Sequence, residues 1–249
     1  MLLDEAAMKA AIFVLLILFG LGLSPLAAQE PVSFKASDGI TVYGDYYAGV
    51  DAKRPVILAF HQAGFNRLEY REIAPRLVKE GFSVLAIDQR SGGEYGGEVN
   101  QTAKEAKGFW VYTDALPDLE AALKWAHAKH PTSKLIAWGS SYSASLAIVL
   151  ASKHKEVAGV LAFSPGEYFD GKPSVRAAAK QVTVPAFITS RGDKEKVIAR
   201  LILEALSSKD KTQFVPKGEG VHGSSALIQP GGKSDEYWQA VDAFLAKVK

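Results

Sequence analysis

The sequence predicts an α/β fold, with one mostly parallel sheet and helices on both faces. Two observations lead there. Short, uniformly apolar runs at residues 56–60, 84–87, 135–138, 160–163 and 186–189 read as strands buried on both faces. Between them lie helical stretches at 70–79, 116–128, 142–152, 196–206 and 237–247. Regular alternation of the two favours parallel pairing through helical crossovers. No internal repeat, low-complexity segment or linker divides the chain, so residues 29–249 read as one domain.

The first 28 residues read separately, as a secretory signal peptide. Residues 10–23 are an unbroken apolar stretch, preceded by Lys9 and followed by Ser24-Pro25 and Leu26-Ala27-Ala28. A cation, a short apolar core, a break and small residues before a cleavage site form the layout of an export signal. Asp4 and Glu5 fit poorly ahead of such a core, which favours Met8 as the start, and cleavage is expected after Ala28. The expected location is therefore the periplasm or the medium, with no stable membrane anchor once the signal is removed. The chain has no cysteine, so thiol catalysis, disulfides and thiolate metal sites are excluded, and a lipoprotein anchor is disfavoured. A net charge of +2, from 29 basic against 27 acidic residues, gives no electrostatic reason to expect nucleic acid as a partner.

Taken in order, residues 32–36 and 40–47 form an expected antiparallel hairpin around Ser37-Asp38-Gly39. A last strand is expected at 213–215. In a sheet of this class, working residues lie just beyond the carboxyl ends of the strands. After 56–60 comes His61-Gln62-Ala63-Gly64-Phe65-Asn66. Its small residues let the backbone turn so that an N–H, that of Ala63 or else Gln62, can face a developing negative charge. His61 ends a buried strand directly and is read as organising the loop rather than as a base. After 84–87, Asp88 and Arg90 are read as tying their loop to its neighbours. The glycines of 92–97 lack the lysine and spacing of a phosphate loop.

The run 135–150 carries the strongest signal. An apolar strand ends in Gly139-Ser140-Ser141-Tyr142-Ser143 and a helix follows at once. A serine on such a turn is pushed out where its hydroxyl can attack a carbonyl carbon, so Ser141 is the candidate nucleophile. Small residues are needed two positions to either side; Gly139 supplies one, and Ser143 stands where G-x-S-x-G has its last glycine. The Tyr142 N–H would open the helix, where unpaired amides and the helix dipole favour an oxyanion. After 186–189 comes Ser190-Arg191-Gly192-Asp193, with Asp193 placed to orient an imidazole. Asp193 could instead cap the next helix, and Glu167 and Asp170 are rival acids. The loop after the last strand holds His222 between Val221 and Gly223, a flexible setting suited to a general base. His127, His130 and His154 fall in or at the ends of polar helical stretches, where solvated side chains are expected.

The pieces HQAG, GSSYS, SRGD and VHGSS stand in order at successive strand ends, and Ser141, Asp193, His222 is the serine, acid, histidine order of the α/β-hydrolases. Residues from about 32 to 248 resemble that family, and in size and layout are similar to its small dienelactone-hydrolase-like serine esterases. The resemblance implies an α/β-hydrolase fold and hydrolysis of a small-molecule ester through an acyl-enzyme, with no cofactor and no metal. Dienelactone hydrolases proper use cysteine, so their substrate is not implied. The stretch 164–184 has room for little more than one helix, which predicts no large cap domain. Phe65, Tyr168 and Phe169 are candidate substrate-lining residues, with Tyr142 beside them. A peptidase of the prolyl-oligopeptidase type and a non-catalytic binding protein on the same fold are the alternatives.

Overall fold

The computed structural model describes residues 29–51, 53–170, 174–192 and 194–249. The expected signal peptide, residues 1–28, lies outside them. Ten strands are present among these residues: β1 (Gln29–Lys35), β2 (Thr41–Tyr47), β3 (Val56–Phe60), β4 (Ser83–Ile87), β5 (Glu94–Tyr95), β6 (Glu98–Val99), β7 (Leu135–Ser140), β8 (Val157–Phe163), β9 (Ala186–Thr189) and β10 (Lys211–Phe214). The helices are α1 (Ile73–Lys79), α2 (Gln101–Ala106), α3 (Leu116–Lys129), α4 (Tyr142–Lys153), α5 (Val175–Ala179), α6 (Lys194–Ala205) and α7 (Asp235–Val248). Eight strands form one sheet in the order β1-β2-β4-β3-β7-β8-β9-β10, while β5 and β6 make a small separate ribbon. The β1/β2 and β2/β4 pairs are antiparallel; every pair from β4 through β3 to β10 is parallel.

The central strands β3, β4 and β7 are buried at every position, as their unbroken apolar sequences require. Two cores result. Leu58, Phe60, Ala137, Leu146, Val149 and Ile202 pack on the face covered by α3, α4, α5 and α6. Ile57, Trp138, Phe163, Leu77, Trp238 and Phe244 pack on the face covered by α1 and α7. Helices thus lie on both faces of a mostly parallel sheet, and among the described residues the segment between β8 and β9 holds the short α5 as its one helix, with no large cap.

Local differences from the expectations have simple causes. The helix expected over 70–79 is a 3-10 turn at Arg67–Tyr70 followed by α1, with Asn66 Oδ1 accepting from Leu68 N at 2.9 Å. The last strand runs from Lys211 to Phe214 rather than 213–215, because pairing with β9 begins at Lys211 opposite Ala186. His130, expected to be solvated, is buried at the end of α3, where its Nε2 lies 2.8 Å from the Tyr46 hydroxyl. Burial there follows from tertiary packing that a helix-end pattern does not report.

Candidate active site

Strand β7 delivers Ser141 to the rim of the sheet, and the turn it sits on is strained. Its φ of 59° and ψ of −124° lie outside the regions that non-glycine residues favour. The strand-side and helix-side backbones come so close that a Cβ on Gly139 would stand 2.1 Å from the Ser143 carbonyl oxygen. Only glycine fits there. The turn is fixed by Ser141 N donating to Phe163 O at 2.7 Å and by Ala144 N donating to Ser141 O at 2.9 Å. Ser141 is 8% exposed, so its hydroxyl is shielded yet open to one side.

Ser143, which replaces the last glycine of the expected pattern, has a positive use. Its hydroxyl donates to the His61 carbonyl at 2.6 Å and accepts from Gln89 Nε2 at 2.5 Å. The elbow is thereby bolted to the end of β3, where the oxyanion loop starts. His61 itself is fully buried. Its Nε2 accepts from Gln89 N at 3.0 Å, so its Nδ1 carries the proton and donates to Gln62 O at 2.8 Å. Burial pushes its pKa down to about 4, which keeps it neutral, and both ring nitrogens are already taken up by these bonds, leaving none to serve as a base. Its expected structural part is what the geometry bears out. Asp88 and Arg90 likewise tie their loop down. Asp88 accepts from Arg67 and from Gln101 N, while Arg90 pairs with Asp118 at 2.7 Å and with Asp38.

Of the two loop amides considered from the sequence, Gln62 N is engaged, donating to Glu69 Oε2 at 2.8 Å. The Tyr142 N–H opens α4, where no intrahelical acceptor exists. Neither Ala63 N nor Tyr142 N donates to a backbone or side-chain acceptor among the described residues.

The histidine loop is seated on the elbow. Ser224 N donates to Ser140 Oγ at 2.8 Å and Gly223 N donates to Ser164 Oγ at 3.0 Å. Ser224 Oγ in turn accepts from Trp138 Nε1 at 3.0 Å. A Cβ at Gly223, whose φ is 69°, would stand 2.5 Å from Ser140 Oγ, so this close approach also needs glycine. His222, carried on this loop, is about one-third exposed and places Nδ1 3.0 Å from Glu195 Oε1. Asp193, the expected acid, lies outside the described residues; Glu195, two positions on, is the carboxylate that the ring meets. Its other oxygen is buried and has no hydrogen-bond partner among the described residues. The rivals have other work or another place. Glu167 caps α5 by accepting from Val175 N at 2.7 Å and Arg176 N at 2.9 Å, and Asp170 lines a neighbouring cavity. No hydrogen bond joins the Ser141 and His222 side chains among the described residues. The Tyr168 hydroxyl donates to Ser164 O at 3.0 Å.

That cavity, of about 440 Å³, is lined by Phe109, Trp110, Val111, Tyr112, Tyr168 and Phe169 among others. Tyr112 stacks on Tyr142 with ring centres 4.4 Å apart, which joins the cavity to the elbow. Tyr168 and Phe169, two of the candidate lining residues, are on the wall of this cavity. Phe65 stacks instead on Tyr95 at 3.8 Å, and Tyr142 is wholly buried. The aromatic segment 109–112 had no counterpart in the sequence reading.

Comparison with known proteins settles the family. The Hydrolase_4 family, described as "Serine aminopeptidase, S33", matches residues 51–182, just over half of the chain. The chain belongs to this family of α/β-hydrolases. A polyketide transferase, af380, of Aspergillus fumigatus is 29% identical over 182 residues; the match covers 66% of this chain and 59% of the relative, so the chain spans less than two thirds of that protein. The fold of this family member is similar to that of the Pyrococcus furiosus esterase Pf2001, with a TM-score of 0.70, 22% identity and 88% and 92% of the two chains covered. A dienelactone hydrolase from Anabaena variabilis gives a TM-score of 0.70 at 16% identity, covering 89% and 98%. An acylaminoacyl peptidase from Pyrococcus horikoshii gives 0.67 at 16% identity, covering 90% of this chain but 43% of the larger one.

Proposed function

We propose that this α/β-hydrolase is an exported serine hydrolase that cleaves carboxylic esters through an acyl-enzyme on Ser141. The observation that carries the reading is the strained elbow at Ser141 with the His222 loop anchored on the adjacent Ser140. With Nδ1 held by a carboxylate, the ring keeps Nε2 unprotonated and available to the serine. His222 then takes the Ser141 proton as the hydroxyl oxygen attacks the ester carbonyl. The Ala63 and Tyr142 N–H groups receive the oxyanion, and each such donor typically contributes about a hundredfold or more in rate. Collapse expels the alcohol with the proton from His222, and a water activated by the same ring releases the acid. The acid belongs to the Asp193–Glu195 segment, and the aromatic cavity takes the apolar part of the ester.

A second reading, amide cleavage, is favoured by the family description and by the likeness to the acylaminoacyl peptidase. Both readings use the same nucleophile. A fluorophosphonate probe is expected to label the purified protein, and Ser141→Ala is expected to abolish labelling and to lower turnover of nitrophenyl esters by more than about a thousandfold. Labelling that persists in Ser141→Ala would remove the nucleophile. Turnover of peptide amides without esters would decide for the peptidase.

A further inference from the structure

Beneath the site lies a carboxylate that the hydrolytic steps do not use. Glu69, on the 3-10 turn before α1, is 1% exposed and forms no salt bridge among the described residues. Its contacts reach two parts of the site directly and a third through them. Oε2 accepts from Gln62 N at 2.8 Å, and Oε1 accepts from Gln62 Nε2 at 3.0 Å, both on the oxyanion loop. Oε1 also accepts from Ser140 Oγ at 2.8 Å, on the elbow beside the nucleophile. Ser140 Oγ accepts in turn from Ser224 N, and Gln62 Nε2 donates to Ser225 Oγ at 3.1 Å, so the chain of bonds ends on the histidine loop.

The direction of these bonds is constrained. Gln62 N and Ser224 N are backbone donors and cannot reverse. Because Ser140 Oγ accepts from Ser224 N, its own proton is free to point at Glu69. Every group around the carboxylate therefore donates, an arrangement that only the ionised form fully satisfies. A protonated Glu69 would bring a hydrogen into this ring of donors and displace one of them.

We propose that Glu69 is a positioning residue which, as a carboxylate, sets the spacing of the oxyanion loop, the nucleophile elbow and the histidine loop. The proposal rests on the hydrolase reading of Ser141 and His222. It accounts for a buried charge with no cation partner, which a purely structural packing position would replace by an apolar side chain at no loss. Burial pushes the Glu69 pKa up to about 7, against the pull of the Gln62, Ser140 and Ser225 groups. The other titratable groups around it are the Tyr70 and Tyr95 phenols, both raised above their ordinary value, and His61, held neutral. None of these changes charge between pH 6 and 9, so in that range this cluster responds through Glu69.

Two variants test this. Glu69→Gln is expected to lower kcat for a nitrophenyl ester by roughly 10- to 100-fold with KM changed less than about threefold. Its kcat/KM profile should lose the contribution that Glu69 protonation makes to the wild-type acid limb. Amide hydrogen exchange at Gln62 and Ser224 should speed up at least about tenfold, and that readout holds whether or not the chain turns over esters. Ser140→Ala leaves Glu69 and both Gln62 bonds in place and removes the hydroxyl that bridges Glu69 to Ser224, with both of its bonds. It should speed exchange at Ser224 but not at Gln62, and it keeps the test open if Glu69→Gln does not fold. Wild-type exchange at both amides in Glu69→Gln, or at Ser224 in Ser140→Ala, would overturn the proposal. Absence of ester turnover in the wild type, with exchange altered as expected, would instead count against the hydrolase reading.

Discussion

Two carboxylates stand at the candidate site, and the fold treats them in opposite ways. Glu69 lies at the floor of the site, sealed from water, with three donors on its two oxygens. Glu195 stands at the rim in the first turn of α6, about one-quarter exposed, with one oxygen on His222 and the other buried without a partner. The floor is over-determined and the rim is under-determined. A floor of this kind holds geometry before substrate arrives, while the rim keeps freedom for the histidine to close on the serine. Losses at the rim should therefore appear in turnover with little change in stability, and losses at the floor should appear in both.

The largest expected effect tests the rim. Glu195→Gln is expected to lower kcat by roughly 10²- to 10⁴-fold, because a neutral amide neither stabilises the imidazolium nor fixes its tautomer. The melting temperature should move little, since the pair is partly exposed. Asp193→Asn is the necessary companion. If it carries the full loss and Glu195→Gln changes kcat only a few-fold, the aspartate read from the sequence is the acid and Glu195 is its neighbour.

The next effect is at the floor and runs with pH. The folded-state pKa of Glu69, about 7, lies above the ordinary value of 4.5, so between those values the native state holds a proton that the unfolded chain has released. Stability from this group is complete below about pH 4.5 and is lost as pH rises through about 7, by on the order of 3 kcal/mol. Activity has the opposite sign, because the ionised form is the one that holds the loops. Unfolding free energies by urea at pH 5 and pH 8 should differ less in Glu69→Gln than in the wild type. An equal difference in the two proteins would show that Glu69 titrates normally and that the floor stores no charge cost.

The floor and the rim also differ in how far they could be read from sequence. Ser141, Ala63, Tyr142 and His222 could be singled out from sequence because each belongs to a local pattern: a strand end, a turn, a glycine, a helix start. The parallel sheet was legible for the same reason, since β3, β4 and β7 are apolar at almost every position. Glu69 was not, because its use exists only where residues 62, 140 and 224 meet, and no short window contains them. Ser143 looked like a flaw in the elbow until its bond to the His61 carbonyl was in view. Glu195 reads in sequence as one more polar position on an amphipathic helix. The segment 101–115, which supplies α2 and the aromatic wall, mixes charged and aromatic residues without a helical or strand period, so nothing marked it as part of the site.

The smallest effect concerns that wall and extends the contrast beyond the carboxylates. Phe109 is 94% exposed, so its ring contributes almost nothing to folding, and Phe109→Ala should leave the melting temperature within about a degree. Yet the ring lines the cavity that adjoins Tyr168 and, through Tyr112, the elbow. A bound acyl or aryl group covering about 50 Å² of it would gain on the order of 1 kcal/mol, or about fivefold in affinity. Phe109→Ala should therefore raise KM several-fold for long-chain and aryl esters and leave acetate esters unchanged, with kcat preserved because no reacting atom is touched. A uniform loss across the panel would mean that the segment orders the elbow rather than the substrate, which would move this wall from the open rim to the fixed floor.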